Sequence, residues 1–207
     1  MNLHYFGNPE ADTILIQAID ERSLSLAEEE AGLIRKMSSI DFYMVAVIVD
    51  DWFIDLSPWK APAVYGNDSF GDGAEKSLEF ILGLCSDNTA KYYLGGYSLS
   101  GLFALWAAYQ TSVFTGIAAV SPSLWFPHFS DYMENHHICC DRVYLSIGDK
   151  EGKTRNKVMS SVDDNIRIAY DTLKSRSVDC ILEYNRGNHF TDVEKRCARA
   201  FSRVIDK

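Results

Sequence analysis

The chain is expected to fold as an α/β domain, with a mostly parallel central sheet of about six strands and helices on both faces. Three observations carry that expectation. Short β-prone runs alternate along the chain with helical runs whose apolar residues recur every three or four positions. One run, Phe42-Tyr43-Met44-Val45-Ala46-Val47-Ile48-Val49, is apolar throughout, as suits a strand covered on both faces. Finally, 207 residues with 47% hydrophobic content can bury the core of one such domain. No linker-like, repetitive or low-complexity stretch divides the chain, so a single domain is expected over 1–207.

The expected strands are Thr13–Ala18, Phe42–Val49, Lys91–Leu94, Gly116–Val120, Arg142–Ile147 and Cys180–Tyr184. The helical patterns are Ser25–Met37, Gly73–Leu84, Leu99–Tyr109, Val158–Leu173 and Val193–Ile205, each with charges between the apolar positions. In open α/β sheets ligands bind outside the carboxyl ends of the strands. The residues just past the strands here are Asp50, Asp51 and Trp52; Ser98; Ser121 to Trp125; Asp149 and Glu151; Asn188 and His189. Together they supply the groups that acyl transfer requires.

The net charge of −9, with acids mostly scattered, disfavours a nucleic-acid partner. Residues 1–10 lack the basic start and apolar stretch of a secretory signal, and no apolar run reaches membrane-spanning length. A soluble cytoplasmic protein without a membrane partner is expected. The five cysteines, with Cys139 and Cys140 adjacent, do not resemble a disulfide framework, which favours a reducing compartment. His136, His137, Cys139 and Cys140 match no standard metal-ligand spacing, and neither metal nor cofactor is expected.

The most informative stretch is Leu94-Gly95-Gly96-Tyr97-Ser98-Leu99-Ser100-Gly101, which reads as a strand, a sharp turn carrying Ser98, and a helix. A serine on so tight a turn has strained backbone angles, and strand and helix then approach closely, so the residues two positions either side must be small. Gly96 and Ser100 meet that demand. The same turn aims the Leu99 N–H and the helix N-terminus at the space where an oxyanion forms. A dinucleotide-binding turn fits poorly: Ser98 stands where a glycine admits the pyrophosphate, and Gly116–Val120, about twenty residues on, offers no acid for a ribose.

An activated serine needs a base, and the base an acid that fixes its tautomer. Of the five histidines, His189 alone falls between the last strand and the last helix. Either Asp149 or Glu151 can supply the acid in the order Ser, acid, His. Glu151 is favoured because the extra residues after Gly148 give the chain room to turn back over the sheet edge. The second oxyanion donor is expected from Asp51 or Trp52 after the Phe42–Val49 strand, with Trp52 preferred.

Gly96-Tyr97-Ser98-Leu99-Ser100-Gly101, Ser121-Pro122-Ser123-Leu124-Trp125-Phe126, Gly148-Asp149-Lys150-Glu151 and Gly187-Asn188-His189 together resemble the esterase family of α/β-hydrolases that includes esterase D, feruloyl esterases and siderophore esterases. The resemblance runs from about the second strand to the end. It implies an α/β-hydrolase fold, here compact and without a cap domain, and it carries the triad acid to Glu151. Trp52, Trp59, Trp125 and Phe126, with Tyr97, border the expected site and are candidates to line an apolar cleft. The expected activity is hydrolysis of a small carboxylic ester through an acyl-enzyme on Ser98, with Tyr97, Trp52 and Trp125 binding substrate. The alternatives are a thioesterase or acyltransferase on the same triad, and a scaffold that retains the fold without turnover.

Overall fold

The computed structural model describes residues 1–206. Its strands are β1 (Asn2–Gly7), β2 (Thr13–Ile19), β3 (Tyr43–Ile48), β4 (Lys91–Tyr97), β5 (Phe114–Val120), β6 (Arg142–Gly148) and β7 (Asp179–Asn185). Its α-helices are α1 (Leu24–Met37), α2 (Trp52–Asp55), α3 (Ala74–Leu84), α4 (Leu99–Ala107), α5 (Phe129–Asn135), α6 (Lys157–Ser160), α7 (Val162–Ser175) and α8 (Val193–Ile205). The strands form one sheet in the order β1-β3-β2-β4-β5-β6-β7. All neighbours are parallel except β1, which runs antiparallel along β3.

Period-two alternation along the central strands divides the core into two layers. Ile16 and Ala18, Val45 and Val47, Tyr92 and Leu94, and Ile117 and Ala119 face one cluster together with α3, α4 and α7. Leu15, Met44 and Ala46, Tyr93, and Ala118 and Val120 face the other, beneath α1 and α8. Every residue of α4 is buried, which is why its sequence, Leu-Ser-Gly-Leu-Phe-Ala-Leu-Trp-Ala, has no charged face. Trp106 packs there on Phe103, with ring centroids 6.1 Å apart.

Two expectations need correction. The sheet has a seventh strand, β1, which was not among the expected strands; it lies at the sheet edge with Asn2, His4 and Tyr5 exposed. It is held by the edge of β3 in the register Asn2↔Ile48 to Gly7↔Tyr43, with Tyr5 stacked on Tyr43. The helix expected over Val158–Leu173 is two: α6, capped by the Asn156 side chain accepting from the Val158 and Met159 amides, and α7 after it. Among the described residues, no helix is long and apolar enough to cross a membrane.

Candidate active site

The turn from β4 into α4 holds Ser98 at φ 60°, ψ −121°, a conformation that costs a non-glycine residue about 1–3 kcal/mol. Backbone bonds on both sides of the turn hold it in place. The Ser98 amide donates to Val120 O at 3.0 Å, and Ser98 O accepts from the Leu102 and Ser123 amides. The small neighbours are required: a Cβ on Gly96 would overlap Ser100, and one on Gly101 would sit 2.9 Å from Gly96 O. Ser100 adds a tie of its own, donating from Oγ to Ala18 O at 2.7 Å.

The loop after β7 brings His189 back over this turn. Its Nε2 lies 3.1 Å from Ser98 Oγ and its Nδ1 lies 2.7 Å from Glu151 Oε2. The chain Ser98–His189–Glu151 is therefore continuous, built from residues after β4, β6 and β7. Asp149, the other acid considered, points elsewhere. It accepts the Gly187 amide at 2.8 Å and so pins the loop that carries His189. Gly187 has φ 121°, a conformation open to glycine, and a Cβ there would collide with Thr191.

Solved structures share this arrangement of strands and helices. An IroE-like serine hydrolase from Shewanella oneidensis superposes over 99% of this chain and 75% of its own, at 16% identity and a TM-score of 0.79. The siderophore hydrolase EstA from Aspergillus nidulans matches at 19% identity over 96% of this chain and 85% of its own, with a TM-score of 0.69. Acyl-protein thioesterase 2 from Zea mays matches at 15% identity over 99% and 98%, with a TM-score of 0.61. The chain has the α/β-hydrolase fold. No family model matches it, and no curated protein matches it significantly in sequence.

Within this α/β-hydrolase fold, Glu151 is densely hydrogen-bonded. Oε1 accepts from the Gly148 amide at 2.7 Å, from Ser121 Oγ at 2.5 Å and from Arg196 Nη2 at 3.1 Å, leaving Oε2 to His189. Burial opposes ionisation of this carboxyl, but the bonds from His189, Ser121 and Gly148 outweigh it and hold its pKa below the ordinary value. The two serines of Ser121-Pro122-Ser123 thus reach both ends of the Ser98–His189–Glu151 chain. Ser121 touches Glu151, and Ser123 Oγ lies 3.3 Å from Ser98 Oγ. Arg196 was missed in the sequence reading, though a signal existed: a cation on α8 among Val193, Cys197, Ala200, Phe201 and Val204, the positions that face the core.

At the start of α2, the Asp51 amide donates to Asp55 Oδ2, and the Asp51 side chain caps the Phe53 and Ile54 amides. Asp51 is thereby occupied as an oxyanion donor. Among the described residues the amides of Trp52 and Leu99, the other two candidates, have no hydrogen-bond partner.

The aromatic residues divide differently from expectation. Trp125 is 8% exposed and packs on Tyr65 and Phe70, so its indole belongs to the core and not to a substrate cleft. Phe126 is buried, and Trp59 packs against it while donating from Nε1 to Pro127 O. Tyr97 lies with its ring 4.8 Å from that of His189, and burial followed by the Glu151 charge pushes its phenol pKa up. Tyr97 and Trp52 also line a cavity of about 50 Å³ with Gln17 and Glu30. Ligand pockets usually have several hundred Å³, so this one is too small for an acyl chain. Phe190, which the sequence reading did not single out, is 83% exposed with its ring edge-on to His189.

Proposed function

We propose that this protein is a serine hydrolase of small carboxylic esters, acting through an acyl-enzyme on Ser98. The observation that carries the reading is the unbroken hydrogen-bond chain from Ser98 Oγ through His189 to Glu151. In this mechanism Ser98 Oγ attacks the ester carbonyl as His189 Nε2 takes its proton, and Glu151 stabilises the imidazolium. The Leu99 and Trp52 amides receive the oxyanion. The intermediate collapses, the C–O bond to the alcohol breaks, and His189 returns the proton to the departing oxygen. Water then attacks the acyl-enzyme through the same base, releasing the acid and Ser98.

The exposed Phe190 ring beside His189 supplies apolar contact for the ester, and the Tyr97 ring also lies against His189. No cofactor enters these steps. The likeness to structures described as siderophore hydrolase and acyl-protein thioesterase is compatible with this chemistry, since ester and thioester cleavage differ only in the leaving atom. A thioesterase is therefore the second reading.

The test is intact-mass spectrometry after incubation with a fluorophosphonate, with Ser98→Ala and heat-unfolded protein as controls, followed by p-nitrophenyl esters of increasing chain length. One adduct on folded wild type alone, with turnover of the short esters, is the expected result. A folded wild type that takes no adduct would overturn the reading. Faster turnover of matched thioesters than of oxygen esters would select the thioesterase.

A further inference from the structure

Arg196 is 3% exposed, yet among the described residues only its Nη2 has partners, namely Ser121 Oγ and Glu151 Oε1; Nε and Nη1 are buried and find none there. A buried guanidinium with most of its hydrogen-bonding capacity unmet is a poor way to fill a core position. Packing alone does not account for it, because Met or Leu would suit the surrounding Cys197, Ala200 and Phe201 better. Its contacts all lead to one carboxylate oxygen. Ser121, which accepts from Arg196 and donates to Glu151, is itself held at φ 42° by the turn after β5, with its amide on Ser146 O.

Resting on the hydrolase reading above, we infer that Arg196 is a positioning residue. With Ser121 and the Gly148 amide it saturates Glu151 Oε1, so that the carboxylate stays ionised and presents Oε2 alone to His189. Three donors on one oxygen fix the plane of the carboxyl group, and that plane sets the tilt of the imidazole toward Ser98. The charge of Arg196 acts in the same direction. It compensates a carboxylate whose side chain is 3% exposed, at a place where water does not. Around the pair stand Arg196 from α8 and Tyr97 from β4; of these, Arg196 is the cation in contact with the carboxylate. Removing that positive charge makes uptake of a proton by the coupled Glu151–His189 pair easier, whichever site holds it.

The experiment is a ¹⁵N-imidazole NMR titration of wild type, Arg196→Met, Arg196→Lys and Arg196→Gln, with His189→Gln identifying the signal, alongside kcat and KM on a p-nitrophenyl ester. In Arg196→Met the protonation midpoint of the pair is expected to rise by about one unit. With it the acidic limb of kcat/KM moves to higher pH, and kcat falls about tenfold or more with KM nearly unchanged. Arg196→Lys restores the midpoint but only part of kcat, since an ammonium lacks the planar fork. A folded Arg196→Met with the wild-type midpoint and pH profile would overturn the proposal. If Arg196→Met does not fold, Arg196→Gln, which keeps a polar side chain and removes the charge, decides it: a raised midpoint supports the clamp, and an unmoved one overturns it. A wild type without esterase activity whose midpoint still rises in Arg196→Met removes the hydrolase reading and leaves the clamp standing.

Discussion

Glu151 and Glu30 are both buried carboxyls, 8% and 2% exposed, yet their surroundings drive them in opposite directions. Glu151 is ringed by donors from four separate segments, and its pKa is held below the ordinary value against the effect of burial. Glu30, on α1, has among the described residues the Gln17 amide as its hydrogen-bond donor, at 2.9 and 3.1 Å to its two oxygens when Nε2 faces the helix. Desolvation therefore dominates, aided by the Glu194 charge, and its pKa lies well above the ordinary value. Burial acts the same way on both. What separates them is the number of donors aimed at the carboxyl, together with the neighbouring charge, His189 lowering the one and Glu194 raising the other.

Four substitutions sharpen that contrast. The largest effect is expected of Glu151→Gln, which removes the charge and offers His189 Nδ1 an amide of ambiguous orientation. A loss in kcat of about 10²- to 10⁴-fold with retained fold follows, measured by steady-state kinetics and thermal melting. Next comes Phe190→Ala, which leaves both carboxyls alone and strips the apolar contact at the rim. KM for a p-nitrophenyl ester should rise severalfold, by about the factor a lost hydrophobic contact of 1–2 kcal/mol implies, with kcat little changed.

Glu30→Gln is expected to work the other way and stabilise the protein, by about 1–2 kcal/mol at pH 8 in urea unfolding. The sign follows from linkage. A carboxyl whose folded pKa exceeds its unfolded value has its full stabilising share below the unfolded pKa and loses it as pH rises toward the folded one. The advantage of the amide should therefore vanish near pH 4. An equal gain at both pH values would mean that Glu30 is not titrating between them. Glu151 has the opposite linkage, its stabilising share being lost as pH falls through its depressed folded pKa. The smallest effect belongs to Asp149→Asn, because the amide oxygen can still accept the Gly187 N–H. Activity should stay within about threefold of wild type, as expected for a neutral acceptor replacing a charged one in a partly exposed bond. A drop comparable to that of Glu151→Gln would reverse the assignment of the acid.

The elbow was legible because its signal is local. Gly96, Ser98 and Ser100 lie two positions apart, and the steric demand of a turn at φ 60° acts over that distance. The six expected strands were likewise readable from apolar periodicity, whereas β1, which was not expected, is placed by its pairing along the edge of β3. The aromatic residues were the least legible. Trp52, Trp125 and Phe190 all follow strands or flank the site in sequence, but only packing decides that Trp125 is enclosed by Tyr65 and Phe70 while Phe190 stands in solvent.

By itself, the sequence determined the alternation of strands and helices, the tight turn at Ser98, and the order of serine, acid and histidine along the sheet edge. These follow from backbone sterics and from the periods of helix and strand, which act over a few residues. Only the tertiary structure decided that Glu151 and not Asp149 meets His189, and that Ser121 and Arg196 close on the same carboxylate oxygen. Those contacts join residues 30 to 75 positions apart. Whether a charged side chain 45 residues from its partner is buried against it depends on how α8 seats on the sheet, and no local pattern encodes that seating.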